Sequence, residues 1–357
     1  MMTHLERTKR YARAFWEQEL IDRPYVCVTA PNPNPTLPPL ERPVPVSPAN
    51  TFTACVEERY EDILATFART VDTTYYAGEA LPSFEVTLGP DQFAGFLGSP
   101  IAAGEFTTWA HPCVTDWAEF RADIDRSENG YFEKVRRFIA YAATHYRDKF
   151  LVNMLDLHSN MDALSALRGP QDLCLDLYDC PEEVMRVLNE VRRLYPEVYT
   201  MAYTAGDMEQ RGTIGWGPVY SEKKSAVIQC DFSCMISPAT VRRYVIPAIE
   251  EEAAFLDHSI YHYDGKEALG HLEDILAIRD INCIQWVPGD GQPRSLYWME
   301  LLQKIQKAGK SVWIYDWTVE EIKQHFKELE PNKVAFSVTA ASPEEADDLL
   351  VYLKENT

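Results

Sequence analysis

From about residue 150 onward, short apolar runs alternate with helix-like segments, and this rhythm limits the fold more than any other feature of the chain. The runs read "KFLVNMLDL", "SAVIQCDF", "SIYHYDG", "INCIQWVPG", "KSVWIYDW" and "KVAFSVTA". Helical patterns accompany them over 238–256, 266–279, 295–309, 318–328 and 343–355. Near-continuous apolar strands separated by helices form parallel sheets covered on both faces. Adding "PYVCVTA" and "SFEVTLG" from the N-terminal half gives roughly eight strands, the number that closes a (β/α)8 TIM barrel. A doubly wound open sheet fits less well, because no G-x-G-x-x-G follows the first strand.

Residues 30–50, "APNPNPTLPPLERPVPVSPAN", hold too many prolines for a helix or a central strand, and read as a loop packed on the body. "TFTACVEERYEDILATFARTV" then reads as a helix. The expected organisation is an extension over 1–75 (helix, Pro-rich loop, helix) packed on a barrel over 76–357, as one compact domain. A chain of 357 residues with 46% hydrophobic content can bury such a core.

The 34 Lys and Arg against 55 Asp and Glu leave a formal charge of −21, which repels phosphate backbones and argues against nucleic acid as a partner. No stretch approaches the roughly 20 apolar residues of a membrane span, and the amphipathic N-terminus lacks a signal-peptide core. The eight cysteines are scattered without the spacing of a disulfide scaffold, so they read as reduced thiols of a cytoplasmic protein.

In a (β/α)8 barrel the C-terminal strand ends carry the chemistry. Here those ends hold Asp156 and His158, Cys230, Asp231 and Cys234, His262 and Asp264, Trp286 and Asp290, and Asp316 and Trp317. "TIGWGPVY" adds Trp216 and Tyr220. A single strand-end acid often only caps the next helix, and a tryptophan often only packs. Acids, a histidine and tryptophans converging on one mouth point to a site. Alternate residues of a strand share a face, so His262 and Asp264 point the same way, as a metal pair, an acid/base pair or a hydrogen-bonded prop.

At these residues the sequence resembles the uroporphyrinogen decarboxylase superfamily. "IQCDFSCMISPATVRRYVIPAIEEE" is similar to its strand–Asp–Ser–Pro–helix segment, and "SIYHYDGKEALGHLEDILAI" to its His-containing strand end before glycine. "GPDQFAGFLGSP", "ALRGPQDLCLDLYDCPEEVMRVL" and the closing "SVTAASPEEADDLLVYLKEN" extend the likeness over most of the chain from about residue 80. The superfamily includes the decarboxylase and zinc-dependent, cobalamin-linked methyltransferases. The decarboxylase's arginine signature is missing, since "YVCVTAPNPNP" stands in its place. The methyltransferase branch holds zinc with His-x-Cys and a later Cys. His262 matches the histidine, but Asp264 replaces the first thiol and Ser337 falls near the second.

The resemblance therefore implies a corrinoid-dependent methyltransferase acting on a small O- or N-methylated compound. The corrinoid would arrive on a separate protein, because the chain has no D-x-H-x-x-G. Zinc, if kept, would bind His262 and Asp264 with Glu85 or Cys230, a harder and more oxygen-rich site than the family's. His262, Asp264 and Asp231 are the expected catalytic groups. Trp216, Tyr220, Trp286, Asp316, Trp317 and Asp156 are the expected substrate contacts. A metal-free decarboxylase or lyase using Asp231 and His262, and a barrel that only binds ligand, are the alternatives. Helix-lined barrels often dimerise, so a homodimer enters the expectation, although no stretch marks an interface.

Overall fold

The computed structural model describes residues 3–357; the first two residues of the expected extension lie outside it. Eleven strands are present among the described residues: β1 Tyr25–Pro31, β2 Thr74–Gly78, β3 Ser83–Phe84, β4 Ile101–Ala103, β5 Thr108–Ala110, β6 Leu151–Val152, β7 Ser225–Ile228, β8 His258–Asp264, β9 Cys283–Val287, β10 Ser311–Ile314 and β11 Val334–Thr339. Seven form one sheet in the order β2-β1-β11-β10-β9-β8-β7, parallel throughout except for β2 against β1. β3 and β6 form a separate parallel pair, and β4 and β5 an antiparallel hairpin.

The fold is mixed α/β around a mostly parallel sheet, but its ladder does not close into the barrel the sequence led us to expect. The antiparallel β2 occupies the edge beside β1. On the other side, segment 213–221 folds on itself through the Thr213–Ser221 bridge, and Ile214 accepts the Met154 N–H at 2.7 Å where β6 would meet β7. "SFEVTLG" and "KFLVNMLDL" accordingly contribute only two residues each to a ladder.

Strand alternation sorts the side chains into two cores. Val26, Val28, Ile228, Tyr261, Ile284, Val312 and Phe336 pack outward under the helices. Their neighbours Tyr25, Cys27, Val227, Ile260, Cys283, Trp313 and Ala335 pack on the inner face, with Phe15 and Trp16 of the helix His4–Trp16. Trp16 stacks on His258, the first residue of β8, with ring centroids 4.6 Å apart, so this helix covers the strand starts and leaves the strand ends open. Two buried faces explain why the strands read as unbroken apolar runs.

Local sequence starts and stops the helices. Ser47-Pro48, Ser237-Pro238 and Ser342-Pro343 each place a serine at the N-cap, accepting an N–H three residues on, with proline in the first turn. The pattern expected over 238–256 is split into Pro238–Tyr244 and Ile246–Phe255, with Pro247 opening the second helix. The helix expected in "TFTACVEERYEDILATFARTV" is also two, Pro48–Glu57 and Glu61–Asp72, separated by Glu58 at φ 54°. The Pro-rich segment between β1 and Pro48 forms neither helix nor strand, and Asp72 accepts the Thr36 and Leu37 N–H groups to pin it down. No helix among the described residues is long and apolar enough to cross a membrane.

Candidate functional site

Register builds the site. His262 and Asp264 share the inner face of β8, and the same face of β9 presents Gln285, the register partner of His262. His262 Nδ1 lies 2.7 Å from Gln285 Oε1. An amide oxygen only accepts, so Nδ1 donates and Nε2 is left with its lone pair free. At the next residue, Gly265 turns the chain out at φ 82°, a left-handed geometry that glycine adopts without strain.

Asp231 opens a short 3-10 helix, Asp231–Met235, directly after β7. Its carboxylate, His262 and Asp264 bring one donor atom each to within 4.8 Å of one another. Asp264 Oδ1 is shut off from solvent and has no hydrogen-bond partner. Asp231 faces solvent at the rim, with protein around the rest of the carboxyl. That partial burial, together with the Asp162 charge, raises its pKa.

Behind Asp231 lies a second cluster. His158 Nδ1 donates to Asp162 Oδ2 at 3.0 Å and Nε2 donates to Asp156 Oδ2 at 3.2 Å. Burial alone would lower the His158 pKa, but the two carboxylates outweigh it and hold the value well above 6.5. The two carboxylates favour the charged ring, and both nitrogens are committed, Nε2 lying also against Gln229 Nε2. Asp162 also accepts the backbone N–H groups of Phe232 (2.8 Å) and Asp231 (3.0 Å), which fixes the start of the 3-10 helix. His158, Asp162 and Asp231 satisfy the same donor-atom spacing as the first triad. A protonated histidine has no lone pair to give, however, so this triad carries its own cation. The Asp231, His262 and Asp264 set keeps a ring nitrogen without a protein partner for one.

Asp156 joins the clusters to an open cavity. It accepts from Trp216 Nε1 (3.2 Å) and Gln229 Nε2 (3.0 Å), and the Trp216 ring meets His262 edge-on with centroids 5.3 Å apart. Trp216 also lines a cavity of about 530 Å³, with Ser83, Tyr315, Asp316, Trp317 and Ser337 among its other walls. Glu85 follows β3 beside Asp156; burial and the Asp156 charge push its pKa up to about 7.

The remaining expected residues have other surroundings. Tyr220 is buried towards the strand starts, its hydroxyl on the Arg211 carbonyl and its own carbonyl holding Trp16 Nε1. Trp286 lies on the outer face of β9 between Tyr263 and Trp298, because it alternates with the inward Gln285. Asp316 and Trp317 edge the cavity, but their polar atoms serve Ser295: Asp316 accepts the Ser295 N–H at 2.7 Å, and Trp317 Nε1 donates to Ser295 Oγ at 3.0 Å. Cys230 is buried with its thiol 3.6 Å from Asp162, away from His262's free nitrogen.

Sequence reading gave no role to Asp162, Gln229, Gln285 or Glu252, and none beyond strand-end position to His158. For Gln285 and Gln229 the signal was available: both are polar residues inside apolar runs, in phase with the inner face. Glu252 gives no such signal. It is a fully buried acid on the helix Ile246–Phe255, accepting from Ser159 Oγ (2.7 Å) and Asn160 Nδ2 (3.2 Å), and burial pushes its pKa up to about 8. A carboxyl whose pKa rises on folding stabilises the fold below its ordinary 4.5, and that contribution is lost as pH climbs through about 8. Glu252→Gln is therefore expected to flatten the loss of stability between about pH 4.5 and about pH 8 in denaturant titrations. Parallel curves for variant and wild type would disprove it.

No protein-family model matches the chain, and no curated protein matches it. Among solved structures, a methyltransferase from Methanosarcina mazei is similar over 99% of this chain and 99% of its own, with a TM-score of 0.60 and 11% sequence identity. At that identity, the likeness speaks for the fold.

Proposed function

We propose that the chain is a methyltransferase that moves a methyl group between a small O- or N-methylated compound and a separate corrinoid protein. In this reading it belongs with the cobalamin-linked branch of the uroporphyrinogen decarboxylase superfamily. β1, β3, β6 and β7 to β11 are then the eight wall strands of a (β/α)8 barrel with two open seams. The observation that carries the reading is the gathering of His262, whose Nε2 has no protein partner, with Asp231 and Asp264 next to Trp216, which lines the cavity. The end-to-end likeness to a methyltransferase structure supports it.

A divalent ion fits the Asp231–His262–Asp264 set. The buried Asp264 oxygen has no hydrogen-bond partner, and Gln285 orients the imidazole as outer partners of metal-bound histidines do. Zinc held there would supply Lewis acidity at a donor oxygen or nitrogen that keeps a free electron pair, as in an ether or a tertiary amine. The chain's own groups do the rest. Trp216, held by Asp156, closes one side of the pocket, and the His158–Asp162 pair holds Asp231 in place. Glu85, half protonated near pH 7, is suited to give a proton to a departing alkoxide or amine. A decarboxylase or lyase acting on a small acid is less well supported, because no Lys or Arg lines the cavity among the described residues.

The test supplies the purified protein with methyl ethers and methylamines plus a reduced corrinoid protein, and follows the corrinoid spectrum. Methylation of the corrinoid that needs this chain is expected. No transfer across both donor classes, with zinc restored, would sink the proposal.

A further inference from the structure

The cavity beside the acid–histidine clusters has a chemistry of its own. Trp216 and Tyr315 line one wall. Trp313 joins them from behind, with centroids 5.5 Å from Trp216 and 6.2 Å from Tyr315, and ring planes tilted by 55° and 58°. Tyr76 and Trp317 add two more rings to the lining. Between the rings the lining is small: Thr29, Ser83 and Ser337 offer hydroxyls, and Ala80 and Leu81 offer apolar surface.

The one charged side chain in the lining is acidic. Trp216 Nε1 donates to Asp156, which enriches the ring face in electron density, and Asp316 stands in the lining. His158 balances one of the two carboxylates it touches and leaves the other in excess. With no Lys or Arg in the lining, nothing here receives a carboxylate or phosphate. Aromatic faces backed by surplus negative charge recognise cations that carry methyl groups, and about 530 Å³ is ample for a small one.

We propose that this cavity binds a methylated ammonium compound, a quaternary amine of roughly the size of choline, as the methyl donor. This rests on the methyl-transfer reading and names its substrate class. In the step implied, the nitrogen–methyl bond breaks with its electron pair kept by nitrogen. The new bond to carbon is made by the electron pair of a cobalt(I) corrinoid on its separate protein. The amine leaves neutral and needs no proton. Because the methyl leaves as a cation equivalent, the ring faces and carboxylates that hold the positive donor fix its position for attack.

The experiment needs only the chain itself, so it is independent of methyl transfer. Tetramethylammonium, choline, the uncharged carbon isostere of choline (3,3-dimethylbutan-1-ol) and anisole are titrated against the protein by calorimetry, with tryptophan fluorescence in parallel. The two cations are expected to bind saturably, choline about tenfold or more tighter than its isostere. Trp216→Leu is expected to remove that preference while leaving the thermal transition in place. Equal binding of choline and its isostere would reduce the cavity to an apolar slot and overturn the proposal. So would binding of anisole without the cations, which would assign the site to neutral ethers, or binding of none of the four. Cation binding without corrinoid methylation would uphold this site and count against the transfer reading.

Discussion

Asp162→Ala is expected to cost about 3–5 kcal/mol of folding stability, the usual penalty for stripping one partner from a buried ion pair. Asp162 is only 9% exposed, and its carboxylate serves the His158 imidazolium, two backbone N–H groups and the Cys230 thiol. The pH dependence follows from both partners. His158, with its pKa raised, contributes fully below 6.5 and loses that contribution as pH rises through its folded value. Asp162 is lowered, because His158 and the backbone donors outweigh the effect of burial; it contributes fully above 3.8 and loses this as pH falls through its folded value. The deficit of the variant should therefore be greatest between 3.8 and 6.5. Combining it with His158→Leu should cost less than the two single changes added, by about 1 kcal/mol or more. Urea titrations across that range decide it, and an additive pair would mean that the two side chains act independently.

The second large effect is on activity, with the opposite effect on stability. Asp264→Asn should lower methyl transfer about a hundredfold, at the upper end of what losing a group around a bound metal costs. In chelator-treated protein the same change should leave stability unchanged or raise it. The Asp264 oxygen without a partner stands among like charges, and removing its charge relieves that repulsion. Adding zinc should then raise the melting temperature of the wild type by mass action and leave Asp264→Asn and His262→Ala unmoved. A melting shift of equal size in all three proteins would place any bound zinc elsewhere. An active Asp264→Asn would remove this residue from the chemistry.

Much of the frame was legible in the sequence because it depends on local rules. Two-faced apolar runs specify buried parallel strands, and the strands from residue 225 onward lie where those runs are. The Ser-Pro pairs mark helix starts, because a serine oxygen and a proline without an N–H suit the first turn. His262 and Asp264 share a face because a strand repeats every two residues.

Phase also explains the main difference among the tryptophans. Trp286 stands one residue from Gln285, so the pleat turns it outward, whereas the loop carrying Trp216 is free to bring its ring to the mouth. Counting in twos from His262 along paired strands would have found Gln285, but only with the register, and register is a property of two strands together.

What the sequence by itself determined is the run of strands from residue 225 onward, the inward pairing of His262 with Asp264, and the lack of thiols at the two expected ligand positions. Tertiary structure alone decided that the ladder stays open, since the rivals for its seams are β2 and the 213–221 loop, far apart along the chain. It also decided which of two similar acid–histidine triads has a free nitrogen. That depends on Asp156 and Asp162 both reaching His158, and on the Gln285 oxygen accepting the hydrogen bond of His262 Nδ1. A histidine's charge and tautomer are set by the groups that fold against it, and spacing along the chain does not encode them.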